Sequence, residues 1–282
     1  MSLLRGLARS LKPTQCDRLQ AVVFDWAGTT IDFGSLAPVG ALQDLFARRG
    51  FPITEEEARQ DMGLLKKDHI RSILHLPCVA AAWQQKNRHL PSEADVESLY
   101  AEFIPAQLDT LLDYSCLIPG VREVAEEIQR RDLKIGTTTG YTRAMLNLLV
   151  TEAARQRYLP NANLCPEDVA AGRPHPFMIL RLAATLGIWP LAAIVKVGDT
   201  VADIQEGLNA GAWSVGVATT GNMIGLSEAT WNALPPSQRD VRAKAAREAL
   251  LNAGAHYVVD RAADVIGVLD EVNGRLRQGE RP

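Results

Sequence analysis

The sequence predicts an α/β fold: a doubly wound, mostly parallel sheet with an inserted helical cap domain. Three observations predict it. Short apolar runs such as Ala21-Val22-Val23-Phe24 end abruptly in polar residues, as the buried strands of parallel sheets do. Stretches of helical periodicity fill the intervals between those runs, the alternation that puts helices on both faces of a sheet. After the first run, roughly 75 residues carry no strand pattern, far more than a usual strand-to-helix connection.

Residues 1–19 read as an N-terminal extension. Arg5, Arg9, Lys12 and Arg18 deny this stretch the uninterrupted apolar core of a secretory signal. Its basic, acid-poor composition also fits a transit leader, and a loose extension is the expectation. The first strand follows and runs into Asp25. Residues 39–49 are helical up to Gly50, a C-cap residue. Thr54 and Glu57 resemble a capping box opening the next helix. Residues 62–115 read as helix throughout, with Pro77, Pro91 and Pro105 as punctuation. The expected division is a core formed by residues 20–37 and 116–282 and a cap formed by residues 38–115.

The core resumes with an amphipathic helix at 121–131 and a strand at 133–137 that leads into Thr138-Thr139-Gly140-Tyr141. A helix at 143–156, a short strand at 163–165 and a helix at 176–186 follow. An apolar strand at 193–197 ends in Gly198-Asp199, with Asp203 just beyond, and a helix covers 204–210. The remaining elements are a strand at 213–217, a helix at 240–253 and a last strand at 256–259.

Composition narrows the function classes. The 282 residues are 47% hydrophobic and 22% charged with a formal net charge of −3, so neither nucleic acid nor an anionic membrane surface is an expected partner. No run approaches the roughly 18 apolar residues of a membrane span. Cys16, Cys78, Cys116 and Cys165 form no Cys-x-x-Cys pair, which fits a reducing, cytoplasmic setting better than a zinc site or a disulfide framework.

Chemistry concentrates at the strand ends, where open α/β sheets bind ligands. Asp25, Thr139 and Asp199 each follow a strand, Asp203 lies four residues past Asp199, and Arg173 sits in Gly172-Arg173-Pro174 before a helix. An Asp after a strand also serves as a turn cap, so Asp25 alone decides nothing. Together, two acidic strand ends converging on Mg²⁺, a hydroxyl and a fixed cation suit phosphoryl transfer. The metal neutralises charge, Thr139 and Arg173 hold phosphate oxygens, and a carboxylate attacks phosphorus.

On these residues the sequence resembles the haloacid dehalogenase superfamily, which implies a Rossmann-like core and Asp25 as nucleophile. The family's usual Asp-x-Asp has Ala27 at its second position here, so the general acid that would protonate an ester leaving group is missing. The cap offers a different activation. Helical spacing puts Met62, Lys66, His69 and Ile70 on one face, with Lys67 elsewhere. A Lys-Lys-Asp-His run is commonly a solvated basic patch. In a partly closed cleft, however, a lysine beside another cation becomes a usable amine nucleophile, and an imine is an electron sink for a carbon leaving group.

Five blocks resemble the phosphonoacetaldehyde hydrolases within that superfamily. They are Phe24-Asp25-Trp26-Ala27-Gly28-Thr29-Thr30 with Ala37-Pro38, Met62-Gly63-Leu64-Leu65-Lys66 with Asp68-His69, Thr138-Thr139-Gly140-Tyr141-Thr142-Arg143, Gly172-Arg173-Pro174 with Pro176, and Lys196-Val197-Gly198-Asp199-Thr200. The resemblance implies cleavage of the C–P bond of phosphonoacetaldehyde, in 2-aminoethylphosphonate degradation, to acetaldehyde and phosphate. It implies a Schiff base on Lys66 and an aspartyl phosphate on Asp25. Mg²⁺ would sit on Asp25, the Ala27 carbonyl and Asp199, supported by Asp203. Thr139 and Arg173 would hold the phosphoryl oxygens, with Met62, His69 and Tyr141 around the imine. It also implies a homodimer. One position departs: a Cys common in the family is Ser35 here. The competing readings are a Mg-dependent phosphomonoester phosphatase or phosphomutase of the same fold, and a non-catalytic binding module.

Overall fold

A computed structural model describes residues 17–282; Cys16 and nearly all of the expected N-terminal extension lie outside the described residues. Among these residues six strands form one sheet, all parallel: β1 (Ala21–Phe24), β2 (Lys134–Thr138), β3 (Ala162–Leu164), β4 (Ile194–Gly198), β5 (Trp213–Val217) and β6 (Tyr257–Val259). Their order is β3-β2-β1-β4-β5-β6, so strand order reverses beside β1, where doubly wound sheets open a crevice. β1 is buried on both faces, which is why its run is apolar without alternation. Phe24 pairs with Thr137 of β2 and Val197 of β4. Asp25 therefore emerges between the ends of those two strands, its N–H donating to the Val197 carbonyl at 2.9 Å.

Five helices separate β1 from the rest of the core: α1 (Leu36–Arg49), α2 (Glu55–Arg59), α3 (Lys66–Leu74), α4 (Pro77–Asn87) and α5 (Glu93–Thr110). α1 and α3 both pack on α5, making the helical cap. α1 starts earlier than its periodicity indicates because the Asp32 carboxylate accepts the N–H groups of Leu36 at 2.9 Å and Ala37 at 3.0 Å, satisfying donors that a helix start leaves open. The Thr54–Glu57 capping box forms as expected.

Two cap expectations are corrected. Pro105 lies inside α5 rather than ending a helix. Val96, Leu99 and Phe103 before it and Gln107 after it share one buried face, and that packing outweighs the lost hydrogen bond. The helix carrying Lys66 begins at Lys66, so Met62 is not on its face. Met62 sits in a turn whose Gly63 has φ +94°, with the Thr200 side chain occupying the space a Cβ would need. Only glycine takes that conformation at such close approach.

Seven further helices complete the core: α6 (Val121–Arg130), α7 (Arg143–Arg155), α8 (Phe177–Leu186), α9 (Val201–Ala210), α10 (Glu228–Ala233), α11 (Pro236–Asn252) and α12 (Val265–Arg277). Six residues are too few for periodicity to announce α10. Among the described residues no helix is long and apolar enough to cross a membrane.

Candidate active site

Three strand ends and one loop build the core half of the site. After β1 the chain folds into a tight turn in which the Trp26 carbonyl accepts the N–H groups of Thr29, Thr30 and Ile31. The turn holds the Asp25 carboxylate at the sheet's edge, 5% exposed. After β4, Thr200 caps α9. Its hydroxyl donates to Asp203 Oδ2 at 2.5 Å while accepting the Asp203 N–H at 3.2 Å. Asp199 is held by the Thr29 hydroxyl at 3.0 Å and the Asn222 N–H at 2.7 Å. The Arg173 guanidinium reaches from its loop to Asp25 Oδ1 at 2.7 Å and Asp203 Oδ1 at 2.9 Å.

Asp25, Asp199 and Asp203 each present a carboxylate oxygen, all within 4.8 Å of one another. Burial, partly offset by Arg173, raises the Asp25 pKa. Burial and the neighbouring Asp25 and Asp203 push Asp199 well above the usual carboxylate range, whereas Arg173 and Lys196 hold Asp203 below it despite its burial. In this cluster four buried carboxylates, Asp25, Asp199, Asp203 and Glu206, face two buried cations, Arg173 and Lys196. The surplus of carboxylates over cations and the hard oxygen donors fit a divalent cation of the Mg²⁺ type, whose charge would hold Asp25 and Asp199 ionised.

The cap half has the opposite character. Lys66, the first residue of α3, is 3% exposed. Its Nζ lies 3.9 Å from Met62 Sδ and 5.1 Å from the centre of the Tyr141 ring, and none of the described carboxylates forms an ion pair with it. Desolvation lowers its pKa to about 8. Lys67 turns away and pairs with Glu97 on α5. His69 is fully buried and its pKa falls to about 3, from burial first and then from Lys66, while the backbone at Gln60 and Ala58 opposes the shift; the ring is neutral. Tyr141 is buried, its hydroxyl has no hydrogen-bond partner among the described residues, and burial keeps the phenol protonated.

The two halves meet closely. The carbonyl of Leu64 occupies the place a Cβ on Gly140 would take, so the cap turn lies directly on the core loop after β2. Between them Asp25, Ala27, Met62, Lys66, Thr139, Tyr141 and Arg173 line one cavity. His69, Asp199 and Asp203 are buried and do not line it. The cavity volume is about 20 Å³, room for a single water and too small for a phosphonate-sized ligand. No ionisable side chain stands at Ala27, so that position, two residues past Asp25, has no acid to offer.

Sequence reasoning missed Thr138, Lys196 and Glu206. Thr138 Oγ donates to Glu206 Oε2 at 2.8 Å, and Lys196 Nζ lies 2.7 Å from Asp203 Oδ1. A lysine in the middle of the otherwise apolar strand β4 was a usable signal, because charge is buried there only with partners. Glu206, three residues past Asp203 on a helix, was the matching one.

Comparison with known proteins agrees with this geometry. A haloacid dehalogenase-like hydrolase family model matches residues 19–211. Phosphonoacetaldehyde hydrolase from Paraburkholderia xenovorans strain LB400 is 45% identical over 264 residues, covering 94% of this chain and 99% of the relative. The chain belongs to the phosphonoacetaldehyde hydrolase family of haloacid dehalogenase-like hydrolases. The Paraburkholderia phytofirmans strain PsJN member is 46% identical over the same shares of both chains. The crystal structure of a phosphonoacetaldehyde hydrolase-like protein from Oleispira antarctica superposes with a TM-score of 0.92 at 41% identity, covering 94% of this chain and 96% of that one. The protein is a hydrolase, and its family is typically metal-dependent.

Proposed function

We propose that this enzyme cleaves the C–P bond of phosphonoacetaldehyde, giving acetaldehyde and phosphate, in 2-aminoethylphosphonate degradation. One observation carries the reading: a buried, unpaired lysine with a pKa near 8 shares a cavity with a carboxylate nucleophile that has no acid beside it. A phosphate ester needs its leaving oxygen protonated. An aldehyde two atoms from phosphorus needs only an amine.

Lys66 in its neutral form adds to the aldehyde and loses water, giving a protonated imine. Asp25 attacks phosphorus, and the C–P bonding pair moves into the imine to leave an enamine rather than a bare carbanion. Protonation at carbon restores the imine, and water releases acetaldehyde and free Lys66. A second water hydrolyses the aspartyl phosphate. Arg173 and Thr139 hold the phosphoryl oxygens. Met62 keeps the amine in apolar surroundings, and the Tyr141 hydroxyl and neutral His69 serve proton movement around the imine. Mg²⁺ would be held by Asp25, the Ala27 carbonyl and Asp199 with Asp203 in support, and would supply charge neutralisation for the incoming phosphonate.

The same reading takes residues 38–115 as the mobile cap over a core of residues 20–37 and 116–282, in a cytoplasmic homodimer. Ser35 lines the cavity, and the route above uses no thiol there. The test is borohydride reduction of enzyme mixed with phosphonoacetaldehyde, followed by peptide mapping. An adduct on Lys66, lost with phosphate release in Lys66→Ala, is the expected result. No adduct, with phosphate released from simple esters instead, would overturn the imine route in favour of a phosphatase or phosphomutase.

A further inference from the structure

Glu206 is fully buried on α9 and outside the cavity lining. Its Oε2 accepts the Arg173 Nε–H at 2.9 Å and the Thr138 hydroxyl at 2.8 Å, with Lys196 Nζ at 3.5 Å. Its other oxygen, Oε1, has no hydrogen-bond partner among the described residues. A carboxylate buried with one oxygen unpartnered by the described residues is a poor stabiliser, since apolar packing of the same volume does as well or better. Its geometry points to another purpose.

A guanidinium is planar with donors on fixed edges. Glu206 takes the Nε edge of Arg173 and Asp203 takes one terminal nitrogen. With two edges anchored the plane cannot rotate, and the remaining nitrogen is aimed at Asp25 Oδ1 at 2.7 Å and the Thr138 carbonyl at 2.6 Å. Glu206 also directs the Thr138 hydroxyl. Because a carboxylate only accepts, the hydroxyl proton points at Glu206, leaving its lone pairs for Arg173 at 2.8 Å and Lys196 at 3.0 Å.

We infer that Glu206 is a positioning residue: through Nε of Arg173 and the hydroxyl of Thr138 it fixes the guanidinium in the orientation that receives the phosphoryl group. The inference rests on Arg173 holding that group, as proposed above, but not on the Schiff base. Without Glu206 the Nε edge has no acceptor and the Thr138 hydroxyl loses its direction, so the guanidinium is held less tightly; Lys196 balances the added negative charge.

The experiment is calorimetric titration of inorganic phosphate into Mg²⁺-supplemented full-length enzyme, for wild type, Glu206→Gln, Arg173→Lys and the double variant. Glu206→Gln keeps the shape and removes the charge that anchors the guanidinium. It is expected to weaken phosphate binding about tenfold, the size typical of losing an orienting partner, and to raise the KM for phosphonoacetaldehyde by a similar factor. In the Arg173→Lys background, which has no Nε–H fork, the same change is expected to alter phosphate affinity by less than about twofold. Borohydride trapping of acetaldehyde on Lys66 is expected to be unchanged. Phosphate affinity within twofold of wild type in Glu206→Gln would overturn the inference, and so would an undiminished loss in the Arg173→Lys background. Failure of wild-type enzyme to trap an aldehyde would sink the imine route and leave the phosphate titrations to decide Glu206.

Discussion

The core half and the cap half of the site bury charge in opposite ways. In the core, Asp25, Asp203, Glu206, Arg173 and Lys196 are buried and paired at 2.7–3.5 Å. In the cap, Lys66 is as deeply buried but forms no ion pair among the described residues, lying instead near a thioether and an aromatic face. On the proposed route the difference matches what each half does. A doubly charged phosphoryl group needs a field that is already in place and does not reorganise. The amine of the proposed imine route needs burial without a direct ion pair, because a carboxylate in contact with it would keep it protonated.

The comparison breaks most completely at Asp25. Asp25→Asn is expected to lower phosphate release by at least about a thousandfold, as loss of a covalent nucleophile does, while borohydride still traps the aldehyde on Lys66. Loss of trapping as well would show that the two halves do not act separately.

Next in size is Lys66→Met, expected to abolish C–P cleavage yet stabilise the fold at pH 7. The folded-state pKa is about 8 against the ordinary lysine value of 10.5, so between those values the unfolded chain holds a proton that the folded chain lacks. Wild-type stability therefore rises with pH across that window, and below about pH 8 the full penalty of the buried charge is present. Removing it is expected to contribute up to about 3 kcal/mol at pH 7 and little near pH 10.5. Urea unfolding of both proteins at pH 7 and pH 10 checks the sign; equal midpoints at pH 7 would mean the amine carries no such penalty.

A milder change sharpens the same point. The rate of imine formation is expected to rise with pH through a single limb near pH 8, with His69 adding none because its pKa lies near 3. Met62→Glu gives Lys66 the partner it lacks. The limb is expected to move up by about one pH unit or more, with activity at pH 7 falling about tenfold. Stopped-flow trapping across pH 6 to 10 reads the midpoint.

Much of this was legible in the sequence because strand ends announce themselves. Asp25 and Asp199 follow apolar runs, Thr139 follows a predicted strand, and Ala27 shows the missing acid through the resemblance to the family's Asp-x-Asp pattern. The deeper layer was less legible. Glu206 and Thr138 matter through pairing between α9, β2 and the Arg173 loop, and residues so far apart in the chain leave no periodic trace. Met62 was assigned to the site on a helical spacing that the structure does not have. It reaches Lys66 from a glycine turn, whose shape depends on Thr200 in the core. Pro105 misled for a similar reason: local propensity favoured a stop, and tertiary packing on one face of α5 carried the helix through.

The smallest expected effect concerns the joint between the halves. Arg59, at the end of α2 in the cap, donates to the core carbonyls of Gly34 at 3.0 Å and Gly225 at 3.1 Å and to Asn222 Oδ1 at 3.1 Å. The Asn222 amide returns a bond to the Arg59 carbonyl at 3.3 Å, and its N–H holds Asp199 Oδ2 at 2.7 Å. One side chain thus ties the cap to the loop that orients an acidic residue of the core. These acceptors reach water once the cap lifts, so the net contribution of each bond is small. Arg59→Ala is expected to cost about 1 kcal/mol in closure, near fivefold in kcat/KM. Because Asn222 would then orient Asp199 less tightly, a modest rise in the Mg²⁺ concentration for half-maximal activity is expected too. A metal titration of Arg59→Ala that matched wild type, with kcat/KM still lowered, would confine the role of Arg59 to closing the cap.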